Sequence, residues 1–256
     1  MAALEVENLT VGYGSPVVKQ VTFSVERGQV VGLLGRNGSG KTTLLRGLSG
    51  SARVSGGAVR VNGADCLKLK ARPRAALMAL LSQRIELTEG LRVGEVICMG
   101  RCAYGGVFSG PTDTDVALCR QAAEELGISH LWERDCAALS EGQRQMVQLA
   151  RVSAQDAAVL LLDEPNSALD YQNSRLLFQR VQTMARQRNK AALVVMHDPA
   201  LALRWCDRLL RLENGVLTGE LEPPSASEEE ARRFLSALYP GITVRRDGLN
   251  GTFYCI

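Results

Sequence analysis

At 256 residues, with 46% apolar and 22% charged side chains, the chain can bury the core of one large domain and has an ordinary globular composition. Its formal net charge of +3 is too mild to argue for nucleic acid as a partner. The longest apolar runs, Val159 to Leu162 and Ala191 to Met196, are far too short to cross a bilayer, and no basic-then-apolar leader opens the sequence, so a cytoplasmic chain is expected.

Residues 4–11 and 17–25 alternate apolar and polar side chains around Gly12-Tyr13-Gly14-Ser15-Pro16, which predicts an antiparallel hairpin. The apolar stretch from Val30 to Leu34 then runs into Gly35-Arg36-Asn37-Gly38-Ser39-Gly40-Lys41-Thr42-Thr43, followed by a leucine-rich helical pattern to about residue 49. Strand, glycine-rich turn and helix start stand in the order of a phosphate-binding P-loop, and every fixed position of GxxxxGK[ST] is matched. The glycines let successive N–H groups point inward at a polyphosphate, and the helix adds its positive end. Lys41 is placed to neutralise the β- and γ-phosphates and Thr42 to ligand Mg²⁺, so the loop predicts nucleoside triphosphate binding.

A short strand pair is expected around 58–62 and a core strand over 76–81. From about 87 to 154 the pattern turns helical, with apolar residues at three- and four-residue spacing over 93–101, 114–126 and 141–153. Strands return at 159–163 and 192–196, each followed by a helical stretch, which is the alternation of a parallel core sheet. Residues 222–230, with two prolines, serines and acids, read as a solvated linker; a short helix and a tail over 242–256 follow, with Asn250-Gly251 suited to a small hairpin turn. The seven cysteines, at 66, 98, 102, 119, 136, 206 and 255, form no CxxC pair and read as reduced, mostly buried thiols rather than metal ligands.

Val159 to Leu162 ends in Asp163-Glu164, and a buried strand delivers such terminal acids to the carboxyl edge of its sheet, where P-loops also sit. Asp163 can then hold the shell of a Mg²⁺ ion and Glu164 can act as general base toward a water. Leu139-Ser140-Glu141-Gly142-Gln143 opens a helix, and a capping box between Ser140 and Gln143 accounts for it when it is taken alone.

Between a P-loop and an acid-ended strand, however, that Leu-Ser-x-Gly-Gln string resembles the signature motif of the ATPase subunits of ABC transporters. The resemblance spans about residues 3–220 and extends to several separate motifs. Tyr13 matches the aromatic residue that stacks on adenine, Gln83, at the end of the strand expected over 76–81, the Q-loop glutamine, Ser167-Ala168-Leu169-Asp170 the D-loop, and His197 the switch histidine. Alone, Tyr13 would pass for a hairpin-end aromatic and Gln83 for one glutamine among many; His197 stands at a core strand's carboxyl end, a common place for a site. The resemblance implies an α/β fold: a P-loop NTPase core with a mainly parallel sheet, an N-terminal antiparallel β subdomain and an inserted α-helical subdomain. It implies an ATPase domain over 1–220, with the helical part at about 87–154, and a C-terminal linker, helix and tail over 221–256.

The same resemblance implies ATP and Mg²⁺ as ligands and a second ATPase subunit docked head to tail, as a homodimer with ATP sandwiched between the copies. Gly35 to Thr43 of one subunit would hold the phosphates, while Ser140, Gly142 and Gln143 of the other would approach the γ-phosphate with their helix's amino end and Asp170 would help complete the site. Glu164 would activate water, His197 orient the γ-phosphate, and Gln83 sense the metal beside Thr42 and Asp163. Separate membrane permease subunits, met by the helical insert, and an extracytoplasmic substrate-binding protein would complete a transporter seated on the cytoplasmic face of the membrane. Glu141, Met146 and Asn166 depart from the family's usual glycine, arginine and threonine; the Glu141 carboxylate is expected to point away from the phosphate.

Met99-Gly100-Arg101, His197-Asp198-Pro199-Ala200-Leu201-Ala202 and Tyr239-Pro240-Gly241 with Val244 are similar to strings of the importer branch that serves iron–siderophore, haem and cobalamin uptake. A non-transport ABC ATPase, such as an assembly or ribosome-associated factor, and the ATPase of an exporter remain as alternatives.

Overall fold

Alternating burial builds the first two strands, β1 (Ala2–Gly12) and β2 (Pro16–Glu26), which pair antiparallel around the Tyr13 turn. The structure is a computed structural model and describes residues 2–82, 90–105, 110–167, 169–247 and 251–255. Along the chain follow β3 (Val30–Leu34), α1 (Lys41–Ser49), β4 (Arg53–Val61), β5 (Ala64–Asp65), α2 (Ala71–Leu77), β6 (Met78–Leu81), α3 (Val93–Cys98), α4 (Asp113–Glu125) and α5 (Glu141–Ala154). Then come β7 (Val159–Asp163), α6 (Tyr171–Gln187), β8 (Ala191–Val195), α7 (Pro199–Trp205), β9 (Arg208–Glu213), β10 (Val216–Leu221), α8 (Glu228–Ser236), β11 (Val244–Arg246) and β12 (Phe253–Cys255).

Two main sheets result. One is antiparallel, in the order β2-β1-β4-β5. The other runs β10-β9-β3-β8-β7-β6, parallel throughout except for β10, which returns antiparallel along the edge of β9. The central strands β3, β7 and β8 are buried at every position, so their side chains divide between two cores with the two-residue period of a strand. Val31, Leu33, Val159, Leu161, Leu193 and Val195 face α1 and the antiparallel sheet. Val30, Leu34, Leu160, Leu162, Ala192 and Val194 face the layer made by α5, α6, α7 and the packed helices α3 and α4. The P-loop therefore leaves β3 at the carboxyl edge of a sheet clamped on both faces.

Several expected bounds shift. The strand expected over 76–81 begins at Met78, because Ala76 and Leu77 finish α2. The buried Gln155 amide donates to Ala75 O at 2.6 Å and Met78 O at 3.2 Å and so fixes that helix-to-strand change. The helix expected over 93–101 is α to Cys98 and a 3₁₀ turn over Met99–Ala103. The linker expected at 222–230 is instead a packed turn: Pro223 and Ala226 are buried, and Ser227 caps α8 through a capping box with Glu230. The tail pairs as foreseen, with Val244 opposite Cys255, while Asn250 of the expected turn lies outside the described residues. All seven cysteines are free thiols; Cys66, Cys119, Cys136 and Cys206 are buried, and Cys102 is exposed. Among the described residues, no helix is long and apolar enough to cross a membrane.

Candidate functional site

A cleft of about 700 Å³ opens at the carboxyl edge of the parallel sheet, lined by Val17, the loop from Asn37 to Thr43, Glu164 and His197. Three strand ends build it. After β3, Gly40 takes φ 107° as the residue before α1, a conformation suited to glycine, and turns the loop so that Lys41 enters the helix. The Lys41 ammonium reaches back across the loop, donating to Gly35 O at 2.7 Å and Arg36 O at 3.2 Å, and so stands where an incoming phosphate would exchange with those carbonyls. Lys41 is only 6% exposed, and burial lowers its pKa against the opposing pull of Glu164 and Asp163.

Strand β7 supplies the acids. Asp163 is 3% exposed and its Oδ1 accepts from the Thr42 hydroxyl at 3.3 Å; burial pushes its pKa up, with Thr42 working the other way. A buried carboxylate beside a hydroxyl at a phosphate loop is a hard-oxygen pair of the kind that holds Mg²⁺ with substrate phosphates rather than in an all-protein cage. Among the described residues, no group of three or more histidines, cysteines or acids gathers for a metal. Glu164 leaves the strand in the left-handed region at φ 51°, its N–H donating to Val195 O at 3.2 Å. This turn carries its carboxylate into the cleft, where Oε1 meets His197 Nε2 at 2.5 Å.

Strand β8 supplies the histidine. Met196 N donates to Leu33 O at 3.2 Å, which seats the end of β8 beside the root of the P-loop, and His197 follows in the bend before α7. Asp198 then caps α7 by accepting from Ala200 N at 2.8 Å and Leu201 N at 3.1 Å, with Pro199 in the first turn.

Tyr13, Ser140, Gly142, Gln143 and Asp170 stand outside the cleft lining. Tyr13 is 57% exposed on the hairpin, its hydroxyl accepting from Arg46 Nη1 at 3.4 Å. Ser140 caps α5, Gln143 closes its capping box, and Gly142 sits against Leu169, whose side chain would be 3.3 Å from a Cβ added there. Glu141 leans along its own helix toward Arg144, 4.0 Å away. Asp170 caps α6 by accepting from Asn173 N at 2.8 Å. Gln83 lies outside the described residues.

Three contributors escaped sequence reading. Val17 lines the cleft although nothing in its local pattern separates it from the other valines of β2. Gln145, 3% exposed within α5, donates to Pro165 O at 2.6 Å and ties the start of α5 to the loop after Glu164. The Asn214-Gly215 turn buttresses the phosphate loop: Gly215 N donates to Ser39 O at 3.1 Å, and Gly215 O accepts from Lys19 N at 2.7 Å.

Residues 18–167, the span that holds the phosphate loop, the capped α5 and the acid pair, match the ABC transporter family. The chain belongs to the ATP-binding proteins of that family. It is 38% identical over 228 residues to the hemin import ATP-binding protein HmuV of Bordetella avium, covering 86% of each chain. It is 35% identical over 221 residues to the iron(3+)-hydroxamate import ATP-binding protein FhuC of Bacillus subtilis, covering 86% of this chain and 82% of the relative. A solved chain described as an inward-facing ABC transporter assigned to the metal-chelate type superposes with a TM-score of 0.83 at 27% identity, covering 100% of this chain and 96% of that one. The expected fold class holds: a mainly parallel P-loop core, an antiparallel β layer and a group of helices. As an ABC ATP-binding protein the chain binds and hydrolyses ATP, and it resembles the branch whose relatives are named for iron–siderophore and haem import.

Proposed function

We propose that this ATPase drives import of an iron complex, such as a siderophore, haem or cobalamin, through separate membrane permease subunits from the cytoplasmic face of the membrane. The observation that carries the reading is a division within one chain. Phosphate loop, base candidate and histidine line one cleft, while Ser140, Gly142 and Asp170 stand outside it. Those outlying groups have work at a nucleotide only if a second copy presents them, which supports a head-to-tail dimer closed by ATP. The import ATPases it resembles support the direction and the class of cargo.

Within each cleft, backbone N–H groups of residues 38–43 and the Lys41 ammonium would hold the β- and γ-phosphates. Thr42 and Asp163 would hold Mg²⁺, with Gln83 as a further ligand; the bound ion neutralises phosphate charge. Glu164 would take a proton from the attacking water, and the His197 ring, in hydrogen-bond contact with Glu164, would orient the γ-phosphate. The amino end of α5 from the partner copy would add Ser140, Gly142, Gln143 and the helix dipole on the far side of that phosphate. Tyr13 would stack on the adenine.

Affinity purification of the Glu164→Gln chain with ATP from native membranes, followed by mass spectrometry, tests the assignment. A multi-span permease in the eluate is the expected result, with a substrate-binding protein marking import. Recovery of soluble assembly factors or ribosomes alone would overturn transport, and a permease with an exporter's outward activity would overturn import.

A further inference from the structure

We infer that Tyr239, in the C-terminal tail, is a positioning residue for ATP hydrolysis that acts through the backbone of His197. The Tyr239 hydroxyl donates to His197 O at 2.6 Å, across 42 residues of sequence. His197 sits in a short joint between the end of β8 and the start of α7, and the joint is pinned on either side by Met196 N to Leu33 O and by the Asp198 cap. The carbonyl of His197 lies between those two pins, and the phenol of Tyr239 is the group that fixes it. The ring of His197 meets Glu164, so the residue is held at both ends: the imidazole from the site and the main chain from the tail.

The tail can serve as a fixed reference because it is itself anchored. Tyr239 N donates to Leu235 O at 2.9 Å and Tyr239 O accepts from Ile242 N at 3.1 Å. Arg211 on β9 donates to Phe234 O at 2.8 Å, which ties the end of α8 to the strand beside β3. Arg246 donates to Ala226 O and Gly251 O, and Glu228 accepts from Arg246 N at 2.7 Å, so helix and hairpin brace each other. Strand β12 packs against α7, and Phe234, Leu235, Val244 and Phe253 are buried in the same core as the parallel sheet. The Tyr239 ring packs on that core half-buried, and burial pushes its phenol pKa up, so it remains a protonated donor.

The inference rests on the reading of His197 as the group that orients the γ-phosphate. The small angular error that a freed main chain passes to a ring at the reacting phosphate lowers turnover rather than nucleotide affinity. The test uses the full chain as wild type, Tyr239→Phe, His197→Ala and the double variant, with steady-state ATP hydrolysis and binding of a fluorescent ATP analogue. Tyr239→Phe keeps the ring in the core and is expected to cut kcat about 3–10-fold, the worth of one neutral hydrogen bond, with KM and analogue affinity unchanged. In the His197→Ala background the same change is expected to have no further effect. A Tyr239→Phe chain at full kcat, or an equal loss in both backgrounds, overturns the inference and leaves the site reading intact. His197→Ala at the wild-type rate removes the site reading, and the inference with it. A readout independent of activity is imidazole NMR, since the chain has two histidines. The His197 ring signals are expected to shift in Tyr239→Phe while those of His130 stay, and unchanged His197 signals would refute the clamp.

Discussion

Glu164 holds a left-handed backbone, a conformation that a glutamate side chain seldom adopts. A non-glycine residue at φ 51° costs on the order of 1 kcal/mol or more, yet the turn swings a strand-end acid from the sheet edge into the cleft beside His197. Glu164→Gln keeps that geometry and removes the proton acceptor. It is expected to retain nucleotide binding while hydrolysis falls on the order of 10²–10⁴-fold, measured as kcat beside the affinity for a fluorescent ATP analogue; hydrolysis at the wild-type rate would remove Glu164 as the base. The neighbouring buried charges show why the site is built for a charged ligand. Lys41 and Asp163 are both nearly inaccessible, and burial drives each toward its neutral form. A polyphosphate with its cation offers each an opposite charge inside the same cleft.

Among elements, two joints fix how neighbouring parts of the fold meet, one of them at the site. The β9–β10 turn holds the phosphate loop from outside through Gly215, where φ is 82° and an added Cβ would stand 1.9 Å from Val17 O. Gly215→Ala is therefore expected to destabilise the chain by about 1–3 kcal/mol and to raise KM for ATP, although residue 215 lies far from the motif in sequence. Urea unfolding and steady-state kinetics check it, and unchanged values in both would show the turn to be passive. The second joint is Arg101, whose guanidinium donates to Asp115 at 2.8 Å and to Ala154 O at 3.1 Å, tying the 3₁₀ turn after α3 to α4 and α5. Arg101, and then Thr112, pull the Asp115 carboxyl down from 3.8 to about 2. A depressed folded-state pKa gives stability that is present above the ordinary value and lost as pH falls from about 4 toward 2. Acid unfolding followed by circular dichroism is expected to show a stability loss of about 1–2 kcal/mol across that window. Asp115→Asn should flatten it, and an identical acid profile in the variant would refute the assignment.

On the scale of the molecule, the proposed head-to-tail pairing leads to a prediction about assembly. If ATP joins two copies through Ser140 and Gly142, the Glu164→Gln chain with Mg²⁺ and ATP will sediment as a dimer, and without nucleotide as a monomer. Ser140→Arg in that background is expected to abolish the dimer while each copy still binds nucleotide, at about 1 kcal/mol of stability for the lost cap. Analytical ultracentrifugation decides it: a dimer that persists in Ser140→Arg would place the contact elsewhere. The two-sided core supports this division of labour. The parallel sheet and its two buried layers hold Lys41, Asp163, Glu164 and His197 on one edge, while α5 presents its capped end as a separate surface.

Much of this was legible in the chain itself. The phosphate loop, the strand-end acids and the cap at Ser140 depend on hydrogen bonds and charges within a few residues, so residue type and spacing encode them directly. The bounds of strands β3 and β7 can be read to the residue because each is one apolar run ended by polar or glycine-rich chain. The start of β6 is not encoded locally, since the end of α2 is set by the Gln155 amide from a different part of the chain, and the composition of residues 222–230 reads as a linker because burial of Pro223 and Ala226 depends on what packs over them. The presence of Val17 in the cleft, the Gly215 buttress, the Gln145 tie and the reach of Tyr239 to His197 belong to tertiary structure alone. Each joins groups that lie far apart in the chain, and their meeting is set by how the layers pack on the sheet rather than by any local stretch of sequence.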